Sequence, residues 1–371
     1  MKLEPFALER FFARHEFGGA HVLCASDCET FTAGELLALD TGAEEKFAAL
    51  RLGYTETAGN PELRREIAGL YQGIAADDIL VFAGAEEAIF VFMNAVLNAG
   101  DHLLVHSPCY QSLTAVAEGN GCRVTCWQAT QEKGWELDLE FLEDSTKGAP
   151  QALVVNFPHN PTGYLPSRDS FERMLQLAEA KGWLVFSDEV YRFLEYKPEN
   201  RLPAACEVYE NGVSLGVMSK SFGLAGLRLG WIACRNRDIL KKMAAFKDYT
   251  TICTAAPSEF LSSLALRHHE TILKRNREII GRNLDLLRSF MQRNSEHFSW
   301  QEPLAGPVAF PCVNFDEASD AFCAGLLEKQ GVLLLPGLLF SAAPAQFRIG
   351  FGRRDFQAGL EKLAAYMRES F

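Results

Sequence analysis

Short apolar segments alternate with longer amphipathic segments through the middle of the chain, and no other pattern in the sequence restricts the fold as strongly. The short segments are rich in β-branched and aromatic residues and predict strands over 102–106, 123–127, 152–157, 183–187, 213–217 and 229–234. Strands that alternate with helices along a chain form a mostly parallel sheet with helices on both faces. The sequence therefore predicts an α/β fold.

The segments around these strands carry helix signals. Asn60 is a favourable N-cap and Pro61 suits the first helical position, with apolar residues recurring on one face behind them. A second helix is predicted over 85–98, and a long helical pattern covers 257–294.

A chain of 371 residues is long enough for two domains, at roughly 150 residues each. We place the boundary inside the long helical pattern. A large domain is predicted over 45–265, and residues 1–44 and 266–371 are predicted to form a smaller α+β domain together. The sequence has no internal repeat or low-complexity segment that would favour another division.

The charge balance excludes some partners. The chain has 36 basic and 48 acidic residues, a formal net charge of -12, and no run of Lys or Arg. We therefore expect neither nucleic acid nor an anionic membrane as a partner. Glu4, Glu9 and Arg10 interrupt the apolar stretch that a signal peptide needs, and the apolar segment 332–340 is too short to span a bilayer. The sequence thus predicts a soluble protein.

Ten cysteines are scattered along the chain, which is typical of reduced thiols in a cytoplasmic protein. Two Cys-x3-Cys pairs, beginning at Cys24 and Cys122, have half of a zinc-site pattern, and His102 and His106 are candidates for the other half. The alternative is that both histidines flank a buried strand and that the cysteines are small core residues. We favour this alternative and predict no metal site.

The segment VMSKSFGLAGLRLGW places Lys220 just after an apolar strand, followed by two glycines and, eight residues on, by Arg228. A lysine at the end of a strand can lose hydration, which lowers the pKa of its amine and makes it nucleophilic enough to form a Schiff base. Taken alone, such a lysine is more often a surface residue in a turn. Its context decides between the two interpretations.

Polar side chains follow two other predicted strands. NFPHNPTG places Asn156 and Asn160 at the end of one strand, and SDEVY places Asp188 at the end of the next, with Tyr191 three residues later. The carboxyl ends of parallel strands line the ligand crevice of an open α/β sheet. Asn160, Asp188 and Lys220 are therefore predicted to meet in one crevice, which packing alone does not explain.

The order and spacing of these motifs resemble the class I and II aminotransferases of the pyridoxal-5'-phosphate (PLP) fold type I. The resemblance runs from about Tyr54 to Arg348 and rests on GYTETAGNPELR, FAGAEEAI, SPCY, NFPHNPTG, SDEVY, SKSFGLAGLRLGW, LLLPGLLF and FRIGFG. It implies a large domain built on the mostly parallel sheet, a smaller α+β domain from the two termini, and PLP as the cofactor.

The resemblance also assigns roles. Lys220 would bind the cofactor as a Schiff base and then move the proton between Cα and the cofactor's C4'. Asp188 would keep the pyridine nitrogen protonated, so that the ring accepts electrons. Asn160 and Tyr191 would hydrogen-bond the phenolic oxygen, and Tyr110 would stack on the ring.

For the cofactor phosphate, the resemblance implies the backbone N–H groups of Gly84, Ala85 and Glu86, at the start of a helix where the dipole favours an anion. Arg228 would add a positive charge, and Tyr54 would reach the phosphate from the neighbouring subunit. The resemblance therefore implies a homodimer whose active sites are shared between subunits.

Arg348 matches the arginine that holds the substrate α-carboxylate by paired hydrogen bonds, with Asn160 also on the substrate side. A surface ion pair is the alternative for Arg348, and an ordinary half-buried tyrosine is the alternative for Tyr54 and Tyr110. The segment LCASDCETFT is expected near the substrate, although its Asp27 also suits a helix cap or a turn.

One position departs from the family. Ser or Gly usually stands three residues before the cofactor lysine, where a Ser hydroxyl contacts the phosphate, and here the residue is Val217. Ser219 and Ser221 are candidates to replace that contact, and the sequence does not decide between them.

The resemblance implies a PLP-dependent aminotransferase that moves an amino group from an L-amino acid to a 2-oxo acid. The same site supports lyase, decarboxylase and amino-acid cyclase reactions, which stay open as alternatives. A non-catalytic PLP-binding regulator is a more remote one, because such regulators carry a DNA-binding domain ahead of this fold and Tyr54 comes too early to leave room for it. The preferred substrate side chain is not predicted.

Overall fold

The computed structural model describes residues 2–18, 21–144, 150–315, 318–342 and 344–370. Its α-helices are α1 Ala7–His15, α2 Ala33–Leu37, α3 Ala43–Ala48, α4 Pro61–Ala68, α5 Ala85–Ala95, α6 Ser112–Gly119, α7 Leu139–Asp144, α8 Arg168–Ala180, α9 Ala205–Val208, α10 Arg237–Lys247, α11 Ala256–Arg267, α12 His269–Arg293, α13 Ser319–Gln330 and α14 Phe356–Ser370. Its strands are β1 His21–Val22, β2 Ile79–Phe82, β3 His102–Ser107, β4 Arg123–Gln128, β5 Ala152–Asn156, β6 Leu184–Asp188, β7 Gly212–Val217, β8 Gly230–Ala233, β9 Phe298–Ser299, β10 Val308–Ala309, β11 Cys312–Val313, β12 Val332–Leu333, β13 Leu335–Pro336 and β14 Phe347–Gly350. Short 3-10 helices cover Ala76–Asp78, Gln131–Lys133, Pro198–Asn200, Ala225–Leu227 and Gly337–Phe340.

The central sheet contains β2 to β8 in the order β2-β8-β7-β6-β5-β3-β4. Neighbouring strands run parallel except at β8, which is antiparallel to both β2 and β7. Alternate residues of β3 pack into different clusters, Leu103 and Val105 into one and Leu104 into another, because both faces of the sheet are covered. The predicted α/β fold with a mostly parallel sheet is confirmed.

The six predicted strands coincide with β3 to β8 to within one residue at each end. β2 is the strand of this sheet that the sequence pattern does not predict. All four residues of β2 are buried, so they do not alternate between apolar and polar as a half-exposed strand does. The segment is also too short to be recognised as a strand from its apolar character alone.

Helix α4 begins as predicted, since the Asn60 side chain accepts hydrogen bonds from the backbone N–H groups of Glu62 and Leu63 at 2.8 and 3.4 Å. Helix α5 begins at Ala85 as predicted but ends at Ala95, three residues before the predicted end.

The long helical pattern over 257–294 is helical as predicted and forms two helices, α11 and α12, whose separation at His268 the pattern does not show. The chain bends at His268, where the backbone leaves helical geometry with ψ of 21° and the N–H closes the last turn of α11 onto Ala265 and Leu266. No Gly or Pro marks this break, so composition gives no signal for it.

The two ends of the chain pair with each other. β1 lies parallel to β12, with His21 opposite Val332, and β14 lies antiparallel between β10 and β13. The N-terminal residues thus lie against the C-terminal part of the chain. The domain boundaries at 44/45 and 265/266 stay predictions.

The candidate zinc ligands do not form a metal centre. His102 is buried and its Nε2 lies 2.9 Å from Thr125 Oγ1. All ten cysteines are free thiols. Across the described ranges, no group of three or more His, Cys, Asp or Glu side chains is arranged to hold a metal ion.

None of the helices in the described part of the chain has the length and apolar character needed to cross a membrane.

Candidate active site

A cavity of about 410 Å³ opens at the carboxyl ends of β5, β6 and β7. The register places Asn156 of β5 opposite Asp188 of β6, and Val217 ends β7 on the same edge. The predicted site residues that line the cavity are Ala85, Glu86, Tyr110, Asn160, Asp188, Tyr191, Lys220, Arg228 and Arg348. The structure brings these residues together, whereas their chemical roles stay predictions.

Lys220 follows β7 by three residues, and its Nζ donates a 2.7 Å hydrogen bond to Ser26 Oγ. Burial lowers the pKa of the Lys220 amine, Arg348 also lowers it, and Asp27 and Asp188 act in the opposite direction. A lowered pKa increases the fraction of neutral amine, which is the nucleophilic form. Lys220 therefore has the environment of a lysine that attacks a carbonyl carbon.

Asp188 is the last residue of β6 and is buried. Its Oδ1 accepts a hydrogen bond from the Val190 N–H at 3.2 Å. Burial raises the pKa of the Asp188 carboxyl to about 7, and the Val190 N–H and Lys220 oppose that rise. A cationic nitrogen beside this carboxylate would lower the pKa again and be stabilised in return. Asp188 thus fits a protonated ring nitrogen as its partner.

Asn156 holds the loop that carries Asn160. Its Nδ2 donates to the Asp188 carbonyl oxygen at 2.8 Å, and its Oδ1 accepts from the Asn160 N–H at 2.8 Å. The Asn156 side chain therefore links the end of β6 to the loop that follows β5. This link fixes Asn160 at the cavity wall.

Arg348 of β14 is 1% exposed and faces the cavity. Its Nη1 donates to Asn160 Oδ1 at 3.0 Å and its Nη2 to the Cys24 carbonyl at 2.7 Å, while Nε is buried without a partner. No carboxylate in the described ranges forms an ion pair with Arg348. The alternative of a surface ion pair is therefore wrong. Because an unpaired buried cation is costly, an anionic ligand would stabilise this guanidinium.

The two cavity tyrosines both make hydrogen bonds to the N-terminal part of the chain. Tyr191 donates to the Ser26 carbonyl at 2.9 Å, and Tyr110 donates to Glu9 Oε1 at 2.8 Å. Tyr110 is half-buried and also packs on Phe6, with ring centroids 5.0 Å apart. Stacking by Tyr110 and hydrogen bonding of the cofactor by Tyr191 stay predictions.

Gly84 and Arg228 form a cradle at the N-terminus of α5. Gly84 is the N-cap with φ of 95°, and a Cβ on it would lie 2.7 Å from Arg228 Nη2. The first residues of α5, Ala85 and Glu86, line the cavity. Free N–H groups of a helix N-terminus, a glycine that keeps the backbone open and a guanidinium together suit a phosphate.

The structure distinguishes the two serines that could compensate for Val217. Ser221 Oγ lies within hydrogen-bond distance of the Val190 and Arg192 carbonyls, at 3.0 and 2.7 Å, and does not line the cavity. Ser219 does line it, and its Oγ accepts from Arg228 at 3.5 Å. Ser219 is therefore the serine placed to contact a phosphate.

Glu86 brings a carboxyl group to the same corner. Burial raises the pKa of Glu86 to about 7, and Arg228 lowers it. One of its oxygens, Oε2, is buried without a hydrogen-bond partner. Glu86 is therefore largely neutral below pH 7 and acquires a charge beside Arg228 above it.

Tyr54 is not part of this cavity. Its side chain is 93% exposed and lies with Leu50, Arg51 and Phe260 around a separate surface depression. The structure of one chain does not test its predicted contact with a phosphate of the neighbouring subunit, which stays a prediction.

The N-terminal part of the chain contributes a cavity wall. Its residues 25–27 belong to the segment expected near the substrate, whereas the sequence motifs do not indicate Glu9 and Glu16. Glu9, Glu16 and Ser26 line it, and Asp27 lies there together with Arg353. Asp27, for which a cap or a turn was the alternative, forms a bidentate pair with Arg353 in which both N···O distances are 2.9 Å.

With this geometry established, comparison with known proteins identifies the family. The model of the family described as aminotransferase class I and II matches residues 37–363. The chain therefore belongs to this family, and it is a PLP-dependent enzyme of the aminotransferase type.

Individual relatives are similar over nearly the whole chain. A PLP-dependent aminotransferase from Streptococcus suis 89-1591 has a crystal structure with a TM-score of 0.93 and 30% identity, covering 100% of this chain and 99% of that chain. Capreomycidine synthase from Streptomyces vinaceus is 25% identical over 367 residues, 98% of this chain and 92% of that protein. Aspartate aminotransferase from Sulfurisphaera tokodaii is 24% identical over 342 residues, 85% and 82%.

The cavity residues fit PLP. The cradle at Gly84 and Arg228 suits its phosphate, the buried Asp188 suits its ring nitrogen, and the desolvated Lys220 suits its aldehyde. The buried, unpaired guanidinium of Arg348 then remains for a carboxylate of the substrate.

Proposed function

We propose that this protein transfers the amino group of an L-amino acid to a 2-oxo acid, with Lys220 as the cofactor-binding and proton-transferring residue. The observation that carries the proposal is the shared cavity of Lys220, Asp188 and the unpaired Arg348, because amino-group transfer needs a nucleophilic amine, an electron-accepting ring and a bound carboxylate.

PLP supplies the electron-accepting ring when it is bound. Lys220 would hold it covalently, and its free amine would then move the proton between the substrate Cα and the cofactor carbon C4'. Asp188 would stay ionised beside the ring nitrogen and would keep that nitrogen protonated. Asn160 and Tyr191 are assigned to the phenolic oxygen of the ring.

Arg348 would orient the substrate by paired hydrogen bonds to its α-carboxylate. Its Nη1 is already held by Asn160 and its Nη2 by the Cys24 carbonyl, so the guanidinium is fixed before substrate arrives. A fixed guanidinium supports a reaction at the substrate Cα, because the α-carboxylate that Arg348 would bind and the amine that reacts are both attached to that carbon.

The test is the absorption spectrum of the purified protein with PLP, before and after a pool of L-amino acids is added without an oxo acid. Transamination predicts loss of the lysine-bound cofactor band and accumulation of pyridoxamine phosphate, reversed by 2-oxo acids. Lys220→Ala should lack that band and give no turnover, while Lys241→Ala, an exposed lysine on α10, should behave as wild type. Turnover by Lys220→Ala at the wild-type rate would refute the proposal.

A second candidate function is a lyase, decarboxylase or amino-acid cyclase reaction at the same site. The similarity to capreomycidine synthase over 98% of this chain supports a cyclase reaction as the alternative. The same experiment separates the two, because a cyclase or lyase consumes the amino acid while the cofactor returns to its lysine-bound form and no pyridoxamine phosphate accumulates.

We also propose a cytoplasmic homodimer in which Tyr54 completes the phosphate site of the neighbouring subunit. Large side chains that are exposed in the single chain support an interface, among them Leu52, Tyr54 and Tyr249, at 81%, 93% and 90% exposure. The ten free thiols support a reducing compartment, which subcellular fractionation of the native host would test.

A further inference from the structure

The wall of the cavity opposite the sheet comes from the N-terminal part of the chain. Helix α1 and the turn after it contribute Leu8, Glu9, Phe12 and Glu16, and residues 25–27 follow them. Lys220 donates to Ser26 Oγ and Arg348 to the Cys24 carbonyl, each at 2.7 Å, so a substrate held by both residues lies beside this wall. The chemistry of this wall therefore determines which substrate side chains bind well.

The wall is acidic. Glu9, Glu16 and Asp27 bring three carboxylates to it. Of the cations that line the same cavity, Lys220 and Arg228 are assigned to the cofactor and Arg348 to the α-carboxylate, which leaves Arg353. Burial raises the pKa of Glu16, and the neighbouring charges act on it too, since Arg353 lowers this pKa while Asp27 and Glu9 raise it. The three carboxyl groups thus lie close enough in the cavity to influence one another.

Arg353 does not offer its charge to a ligand. Its Nε and Nη2 each lie 2.9 Å from an oxygen of Asp27, so the two groups neutralise each other inside the protein. A substrate with a side-chain carboxylate would find no unpaired cation on this wall. It would also be repelled by the two remaining carboxylates.

Glu9 and Glu16 remain available. Glu9 uses one oxygen, Oε1, to accept the Tyr110 hydroxyl at 2.8 Å. Within the described ranges, no side chain donates a hydrogen bond to the Glu16 carboxylate. Leu8 and Phe12 lie on the same helix and supply an apolar surface, which suits the methylene stem of a long cationic side chain.

We propose that the substrate is a basic amino acid, with an amino or guanidino group at the end of its side chain that Glu9 and Glu16 bind. This inference rests on the proposed function, since it takes an amino acid to occupy the cavity. A neutral side chain would leave both carboxylates without a cationic partner, and an acidic one would add a third negative charge.

The experiment compares matched pairs of amino acids on the holoenzyme. L-Arginine and L-citrulline differ in little but the charge of the end group, and L-lysine and L-norleucine differ by the terminal amine. Dissociation constants come from the change in the cofactor spectrum, and rates come from formation of pyridoxamine phosphate. We expect the basic member of each pair to bind about tenfold or more tightly, and L-glutamate to bind more weakly than either.

Variants of the wall residues test whether Glu9 and Glu16 cause the preference for basic amino acids. Glu16→Gln and Glu9→Gln should each reduce the arginine-to-citrulline ratio toward 1, while Glu328→Gln, an exposed residue on α13 away from the cavity, should leave the ratio unchanged. Glu16→Arg should shift the preference toward L-glutamate, a gain that an unfolded protein cannot show. A ratio of 1 in the wild type, or a ratio that neither glutamine variant changes, overturns the inference.

The two proposals fail differently. If pyridoxamine phosphate forms from L-glutamate as readily as from L-arginine, the inference is wrong and the aminotransferase function stands. If basic amino acids bind selectively but no amino acid yields pyridoxamine phosphate, the aminotransferase function is wrong and the assignment of the acidic wall stands.

Discussion

Arg348 carries a charge that the protein buries and does not neutralise. Its Nη1 and Nη2 are held by neutral oxygens, and Nε has no partner. We expect Arg348→Ala to raise the amino-acid KM by about a hundredfold, because a charge-assisted bidentate pair is lost. Arg348→Lys should recover only part of that loss, since an ammonium cannot bind both carboxylate oxygens in the same plane. An unchanged KM across substrates in steady-state kinetics would remove the assignment.

Glu86 makes cofactor binding depend on pH. Burial raises its pKa to about 7, so the carboxyl is neutral below pH 7 and becomes a carboxylate beside the phosphate cradle above it. We expect PLP affinity to fall as pH rises through 7, and Glu86→Gln to remove that part of the fall. At pH 8.5 the variant should bind PLP about threefold or more tightly than wild type, and at pH 5.5 equally. Fluorescence titration measures both constants, and a wild-type-to-variant ratio that is constant with pH would contradict the prediction.

Gly84, in the turn before α5, has a backbone conformation that favours glycine and lies at the predicted phosphate site. Gly84 has φ of 95°, and a Cβ there would meet Arg228 Nη2 at 2.7 Å. Gly100 has φ of 90° but open space around it, so it serves as a matched control. We expect Gly100→Ala to lower the free energy of unfolding by about 1 kcal/mol, and Gly84→Ala to lower it by more, since its Cβ must also displace the Arg228 guanidinium. Only Gly84→Ala should also weaken PLP binding, which denaturant unfolding and PLP titration on both variants would measure.

The elements that the sequence predicted well are those whose signals are local. β3 to β8 are apolar segments bounded by polar residues, and Asn160, Asp188 and Lys220 follow three of them. Parallel pairing alone then brings these side chains to one edge. β2 and the break at His268 were missed, since neither has a distinctive local pattern.

The acidic wall could not be predicted in the same way. Glu9 and Glu16 belong to a short amphipathic segment that reads as an ordinary surface helix, and Arg353 lies more than 300 residues further along the chain. They meet because β1 pairs with β12 and Arg353 pairs with Asp27. Long-range contacts of this kind depend on tertiary packing rather than on spacing.

The predicted role of Tyr54 extends the site beyond a single chain. Its side chain is 93% exposed and lies outside the cavity of its own chain, so a contact with a phosphate requires a second copy. We expect the holoenzyme to be a dimer by light scattering, and Tyr54→Ala to weaken PLP binding about tenfold through loss of a hydrogen bond to a charged group.

Mixed dimers separate a shared site from a local effect of Tyr54. A Lys220→Ala chain has no cofactor lysine but supplies Tyr54, and a Tyr54→Ala chain supplies the lysine. If the sites are shared, a mixture of the two chains forms dimers in which one site carries both intact residues. Activity at low PLP should then exceed the sum of the two separate variants. Activity that equals this sum, in a mixture shown to exchange subunits, would mean that Tyr54 acts within its own chain or not at all.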